Sequence, residues 1–289
     1  MQNGVMEKYN IACLQANTTN DLAANLATVT AMIREAAANG AQWILTPEYT
    51  LMMDGSGRVM RDNALPADGG ASLVRLRELA RDLKVWLLIG SLTLLTGEEG
   101  EGADTRIVNR SFLVSDAGVV VASYDKIHMF DVELGGVGGQ SYRESSTFRP
   151  GERSVLAETP WGVLGMTICY DLRFPYLYRE LAHAGAVMLS IPSSFTVPTG
   201  KVRDCRNALQ IFRLIVGRVV IDVMNVKSVR NFAVVKFPHN AVKANAAPLE
   251  IAPATVVPSA VEFLDGLAND GDPHKTSSFE RFLAYRHSL

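Results

Sequence analysis

The sequence predicts an α/β protein with buried strands, on two observations. Apolar, strand-like runs alternate with amphipathic, helix-like segments through the first two thirds of the chain, and strands that alternate with helices belong to α/β architectures. Three of those runs also end on a residue able to do chemistry, and sites in such sheets assemble at strand ends.

The elements follow in order. YNIACLQAN is a short apolar and β-branched strand. Residues 21–39 carry helical spacing, with Leu22, Leu26, Val29 and Ile33 on one face, and Gly40 stops the helix. AQWILTPE (41–48) reads as a buried strand ending in a Pro-Glu pair, SLVRLRELARDLK as a helix and VWLLIGSLTLL as a strand. SFLVSDAGVVVASYDK is a hairpin turning at Asp116, Ala117 and Gly118. GVLGMTICYD (162–171) is a strand, FPYLYRELAHAG a helix stopping at Gly185, and AVMLSIPSS a further strand. Residues 94–107 and 131–152 are Gly-rich, polar loops, and long loops in a compact domain are often functional. No internal repeat and no low-complexity tract interrupts the pattern.

Composition narrows the function classes. The 289 residues suffice for one large domain or two ordinary ones. Hydrophobic residues at 48% and charged residues at 20% are ordinary for a soluble globular protein. A formal net charge of -2 gives no electrostatic basis for a nucleic-acid or acidic-membrane partner. Cys13, Cys169 and Cys205 have no paired spacing, which argues against a disulfide framework or zinc ribbon and fits a reducing compartment. The first residues lack a basic region followed by a long apolar one, and no apolar run matches a membrane span. A cytoplasmic location is the expectation.

Chemistry-bearing residues sit at three strand ends. Cys169 ends an apolar strand just before a turn into a helix, which exposes a side chain and aims backbone N–H groups at whatever approaches it. A cysteine in such a run is otherwise a buried structural residue. Glu48 ends WILTPE, and a desolvated carboxylate there becomes a base near neutral pH; left in water it is a strand-end charge. Lys126 ends VVVASYDK, where an ammonium stabilises an oxyanion and lowers a thiol pKa, or else is a surface lysine. His128 is an alternative partner for Cys169, though a lone histidine is more often structural. Glu133, seven residues after Lys126, is either a solvated loop charge or a second carboxylate that orients the lysine.

LTPEYT, YDKIHMFDVE and TICYDLRFP, in that order, resemble the three signature segments of the nitrilase-like carbon–nitrogen hydrolases. SYRES (from Ser141) with the Pro-Gly at 150–151, PWG (160–162) and IPSSFTVPTGK (191–201) are similar to that family as well, so the resemblance runs over residues 8–201. It implies a four-layer α-β-β-α sandwich, a homodimer or larger homo-oligomer, and no metal or organic cofactor. It further implies Cys169 as nucleophile, Glu48 as general base and acid, Lys126 as oxyanion stabiliser and Glu133 as the second glutamate, with the Tyr170 N–H sharing the oxyanion. The small-amidase branch, which acts on ω-amides of dicarboxylic acids and on deaminated glutathione, is most similar. Its substrates carry a free carboxylate, for which Arg173 is the expected partner, and Ser194, Phe195 and Thr196 match the substrate-pocket stretch. Tyr176 departs from the acidic residue often found there. The implied activity is hydrolysis of a small carboxylate-bearing amide through a cysteine thioester, releasing ammonia. A nitrilase or N-carbamoyl amidohydrolase stays open, since one Cys-Glu-Lys set serves all three chemistries.

The resemblance stops after Lys201. From Lys201 to Lys243 the chain holds nine Lys or Arg and two acids, Asp204 and Asp222, and all three tryptophans precede this shift. Residues 202–217 read as a helix and RVVIDVM (218–224) as a strand, which sets a hydrolase domain at 1–225 and an atypical tail at 226–289. A divergent folded replacement, a fused unrelated segment and a shifted coding frame all fit the break; its abruptness favours the last. An inactive or unstable relative, retained for binding, is therefore the second function class.

Overall fold

The computed structural model describes residues 9–97, 104–133 and 141–194, together with the backbone of Val219–Asn225 and Asn231–Phe237. The expected helix at 202–217 lies outside the described residues, as do Phe195 and Thr196.

Two sheets stack with helices outside them. The larger is built from β1 (Tyr9–Gln15), β2 (Trp43–Leu45), β3 (Trp86–Leu94), β4 (Val108–Val114) and β5 (Val120–Asp125) in sequence order, preceded at the edge by the late strand Asn231–Phe237. Helices α1 (Leu22–Ala38) and α3 (Gly70–Leu83) make the crossovers that keep β1, β2 and β3 parallel, and a short α2 (Gly57–Asp62) precedes α3. Strands β6 (Asp131–Glu133) and β7 (Ser141–Arg143) form a separate two-stranded ribbon. The second sheet takes β8 (Val155–Thr159), β9 (Gly162–Met166) and β10 (Met188–Ser194), with α4 (Pro175–His183) crossing between β9 and β10. Its outer strand is β11 (Val219–Asn225), parallel to β10, and the strand at the edge of the first sheet is β12 (Asn231–Phe237), antiparallel to β1. β12 lies past the domain boundary expected at 225; the rest of the expected tail is outside the described residues.

The period-2 alternation of the strands separates the layers. On one face, Ala12, Leu14, Ile44, Leu87 and Ile89 pack with α1 and α3 through Val29, Ile33, Leu76 and Leu79. On the other, Ile11, Trp43, Leu45 and Leu88 meet Leu164, Met166 and Met188 of the second sheet. Leu189 and Ile191 face outward and pack against Leu177, Tyr178 and Leu181 of α4. The result is the four-layer α-β-β-α sandwich. Each fully buried large side chain contributes about 1.5–3 kcal/mol.

The tryptophans that precede the composition shift share one place between the sheets. Trp161, in the turn between β8 and β9, stacks on Trp43 at 5.3 Å and on Tyr9 at 5.2 Å, and meets Trp86 edge-on. No helix among the described residues is long and apolar enough to cross a membrane.

Candidate active site

Each strand-end residue is fixed by its own local device. The segment after β2 lies against an irregularity in the β3–β4 pairing between Ile89 and Leu92. Gly90 makes this possible: a Cβ there would come within 2.1 Å of the Thr46 carbonyl oxygen. The Gly90 N–H donates to Thr46 Oγ1, the Tyr49 N–H to Ser91 Oγ, and the Thr50 N–H to the Ser91 carbonyl. Glu48 is held inside this clamp, followed by Tyr49 at a left-handed φ of 54°.

Lys126 follows β5. Its N–H donates to the Asn109 carbonyl, and its own carbonyl accepts from the Gly151 N–H at 2.8 Å. Cys169 follows β9 on a tight turn with φ 48°, a conformation rare outside glycine, and opens the 3-10 segment Cys169–Arg173. Asp171 holds that turn. It is fully buried and accepts from the Ile168 N–H, the Tyr124 hydroxyl, the His128 N–H and the His128 ring, whose Nδ1 lies at 2.7 Å. His128, the alternative partner for Cys169, is thus tied to Asp171 and stacks on Phe174 at 3.6 Å.

The structure brings Glu48, Lys126 and Cys169 together. Lys126 Nζ donates to Glu48 Oε1 at 3.0 Å, and the two side chains are 2% and 1% exposed. Asn109 Nδ2 donates to the same oxygen at 3.0 Å, and the Ser194 N–H donates to Glu48 Oε2 at 2.9 Å. The Cys169 thiol stands beside this cluster, close enough that Glu48, Lys126 and the Ser194 N–H all act on its titration.

Glu133 is not brought to Lys126; Glu144 is. The β6 strand alternates outward at Asp131 and Glu133, and Glu133 points to solvent with Arg143 at 3.0 Å, both partners well exposed. The ribbon returns the chain so that Glu144, one residue past β7, meets Lys126 Nζ at 2.9 Å through both carboxylate oxygens. Glu144 also accepts the Tyr49 hydroxyl at 2.8 Å and the Phe130 N–H at 2.6 Å. Sequence reasoning missed Glu144, Asn109, Tyr49 and Asp171. A signal for Glu144 was present in the SYRES run that carries it, but proximity to Lys126 in sequence favoured Glu133.

Of the expected substrate contacts, Tyr170 is half-buried among Phe130 and Phe174, and Arg173 is exposed. Ser194 is at the centre of the cluster through its backbone N–H.

The electrostatics follow from one lysine enclosed by two carboxylates and a thiol. Burial pushes the Glu48 carboxyl up from its ordinary value; Lys126 opposes this and Glu144 reinforces it. Burial alone would lower Lys126, but Glu48 and Glu144 outweigh it and hold the ammonium well above its usual range. The Cys169 thiol is pushed well up by burial and by Glu48, while Lys126 and the Ser194 N–H pull it down. Burial and Glu144 raise Tyr49, which therefore stays a hydroxyl donor. The cluster can hold one proton between sulfur and carboxylate beside a permanent cation. Among the described residues no three or more His, Cys, Asp or Glu side chains are arranged to hold a metal.

Comparisons with known proteins place the chain by family and by fold. The profile of the carbon–nitrogen hydrolase family matches residues 10–210. The deaminated glutathione amidase of Yersinia enterocolitica is 38% identical over 196 residues, 68% of this chain and 66% of that protein. The mouse deaminated glutathione amidase is 36% identical over 193 residues, 66% of this chain and 58% of that protein. The chain thus spans just under two thirds of the first relative and less of the second. Among solved structures, the Caenorhabditis elegans NitFhit protein is similar with a TM-score of 0.71 at 25% identity, covering 83% of this chain and 63% of that one. Saccharomyces cerevisiae Nit3, of the nitrilase superfamily, has a TM-score of 0.72 at 20% identity over 86% of this chain and 97% of that one, a likeness of fold.

Proposed function

The chain belongs to the carbon–nitrogen hydrolase family, and from that premise we propose that it hydrolyses the amide of a small carboxylate-bearing molecule through a cysteine thioester, releasing ammonia. The observation that carries the reading is the enclosed cluster of Cys169, Glu48 and Lys126, delivered by three separate strand ends.

The chemistry follows from the proton the cluster holds. An unperturbed thiol has a pKa of about 8.5, so little of it is thiolate at neutral pH. Cys169 gives its proton to Glu48 as sulfur attacks the amide carbon. The carbonyl oxygen takes the negative charge, and Lys126 with the Tyr170 N–H stabilises it. Glu48 passes the proton to the departing nitrogen, which leaves as ammonia, and the thioester remains. Water then gives a proton to Glu48 and its hydroxide adds to the thioester carbon. Collapse releases the carboxylic acid, and the proton returns to sulfur. Glu144 keeps Lys126 charged and in place throughout. Loss of one oxyanion donor in such sites typically lowers the rate about 100- to 1000-fold.

The substrate class is supported by the names of the relatives and by the exposed guanidinium of Arg173, four residues past the nucleophile, as partner for a distal carboxylate. Deaminated glutathione and ω-amides of dicarboxylic acids are the compounds to try first. We assign the cytoplasm as the compartment and a homodimer or larger homo-oligomer as the assembly.

The test is ammonia release from that panel by the full chain beside its Cys169→Ala variant. Turnover that the substitution abolishes is the expected result. A folded, monodisperse protein that releases no ammonia from any of these amides sinks the reading.

A further inference from the structure

Asn109 lies in β4 with its side chain 1% exposed. Its carbonyl accepts the Lys126 N–H, so the two residues are pinned side by side. Their side chains then approach the same atom, Glu48 Oε1, at 3.0 Å each. The amide must present Nδ2 there, because Oδ1 against a carboxylate oxygen would set two acceptors face to face. That orientation leaves Oδ1 buried with no hydrogen-bond partner among the described residues. A buried unpaired acceptor is destabilising, and groups that disfavour the fold cluster where function requires them.

The other oxygen of Glu48 is in a different position. Oε2 accepts the Ser194 N–H at 2.9 Å, and that same N–H acts on the Cys169 thiol, which puts Oε2 on the Cys169 side of the carboxylate. A proton on Oε1 would have to displace one of two donors, one of them a cation; Oε2 has a lone pair to spare.

We propose that Asn109 is a positioning residue for Glu48, which saturates Oε1 together with Lys126 so that Oε2 alone carries the proton between sulfur, leaving nitrogen and water. The inference rests on the amidase reading for the proton's destination. The proton balance is closed: the thiol proton goes to Oε2 and on to the departing nitrogen, and the water proton goes to Oε2 and back to sulfur. The ionisable groups facing Glu48 are Lys126, Glu144, Cys169 and Tyr49; all four remain when Asn109 is changed.

The experiment compares the full chain with Asn109→Leu, similar in size and free of the unpaired acceptor, and with Asn109→Ala. Turnover of an ω-amide and alkylation of Cys169 by iodoacetamide, located by peptide mass, are followed against pH. Loss of a donor to a carboxylate disfavours its charged form, so the acid limb moves to higher pH. The expected shift is about one pH unit in both profiles, with kcat about tenfold lower and KM within about threefold. A folded variant whose limbs stay in place overturns the proposal, even if kcat falls, because packing alone would then explain the loss. Failure of both variants to fold overturns it too, since the amide would then serve the fold. If the unmodified protein hydrolyses no amide, the amidase reading fails by itself, and the alkylation profile still decides the role of Asn109.

Discussion

Two buried carboxylates flank Cys169, and they differ in the groups they meet. Glu48 and Asp171 are 1% and 0% exposed, and they accept from three and four donors. For Glu48 the donors are Asn109, Lys126 and the Ser194 N–H, with the Cys169 thiol beside them. For Asp171 they are the Tyr124 hydroxyl, the Ile168 and His128 N–H groups and the His128 ring. The first set includes a cation shared with a second carboxylate, next to a thiol. The second set ties the turn at Cys169 to the segment that follows Lys126. Burial alone does not suit a carboxylate to the proposed proton transfers; the chemistry of its neighbours does.

Substitutions on the two sides should separate along that line. The largest effect belongs to Lys126→Met. It leaves Glu48 and Glu144 buried without their cation, and we expect a loss of about 3–5 kcal/mol in denaturant unfolding with turnover down at least about 1000-fold. Wild-type stability in this variant would break the picture of a shared cation. Glu144→Gln is next. It keeps the Tyr49 contact but removes the negative charge that faces Lys126 and sets a donor against the Phe130 N–H, so turnover should fall about 100-fold while stability falls by only about 1 kcal/mol, because this side chain still touches solvent.

Asp171→Asn should show the reverse order. One acceptor becomes a donor among four donors, so stability falls by about 2–3 kcal/mol, while kcat falls about tenfold through a loosened turn. Parallel melting and rate measurements on the Glu144 and Asp171 variants give the contrast; equal stability losses would erase it. The pH profile sharpens the Glu48 side. Its carboxyl is raised by burial and by Glu144, and a raised pKa moves the acid limb of kcat/KM up, so the limb should lie above the ordinary glutamate value of about 4.3. A limb at the ordinary value would mean that Glu48 is solvated in the working enzyme. The smallest effect is Glu133→Ala: an exposed pair with Arg143 is worth about 0–1 kcal/mol, and turnover should stay within about twofold. A large loss there would return the second-glutamate role to Glu133.

Much of this was legible in the sequence. Alternating strands and helices follow from period-2 and period-3.6 apolar patterns, and α1 runs over 22–38 against an expected 21–39. Glu48, Lys126 and Cys169 each end an apolar run, but it was the resemblance of LTPEYT, YDKIHMFDVE and TICYDLRFP to the family's signature segments that singled them out. Strands 131–133 and 141–143 fall in the stretch read as a loop, and the helix at 57–62 drew no reading, since segments of three to six residues are too short for either period to register.

What the sequence alone determined, then, is the alternating α/β pattern with buried strands, because that depends on local periodicity and on where apolar runs stop; the layered sandwich and the three strand-end residues came from the family resemblance. Tertiary structure decided the rest. Which glutamate meets Lys126 depends on how the β6–β7 ribbon folds back, and distance along the chain misled the choice between Glu133 and Glu144. The pairing of Asn109 with Glu48, 61 residues apart, exists only once β2, β3 and β4 lie side by side in one sheet, and that of Asp171 with Tyr124, 47 apart, only once the two sheets are stacked. A hydrogen bond is specified by position in space, and no spacing rule along one chain encodes a contact made between two layers.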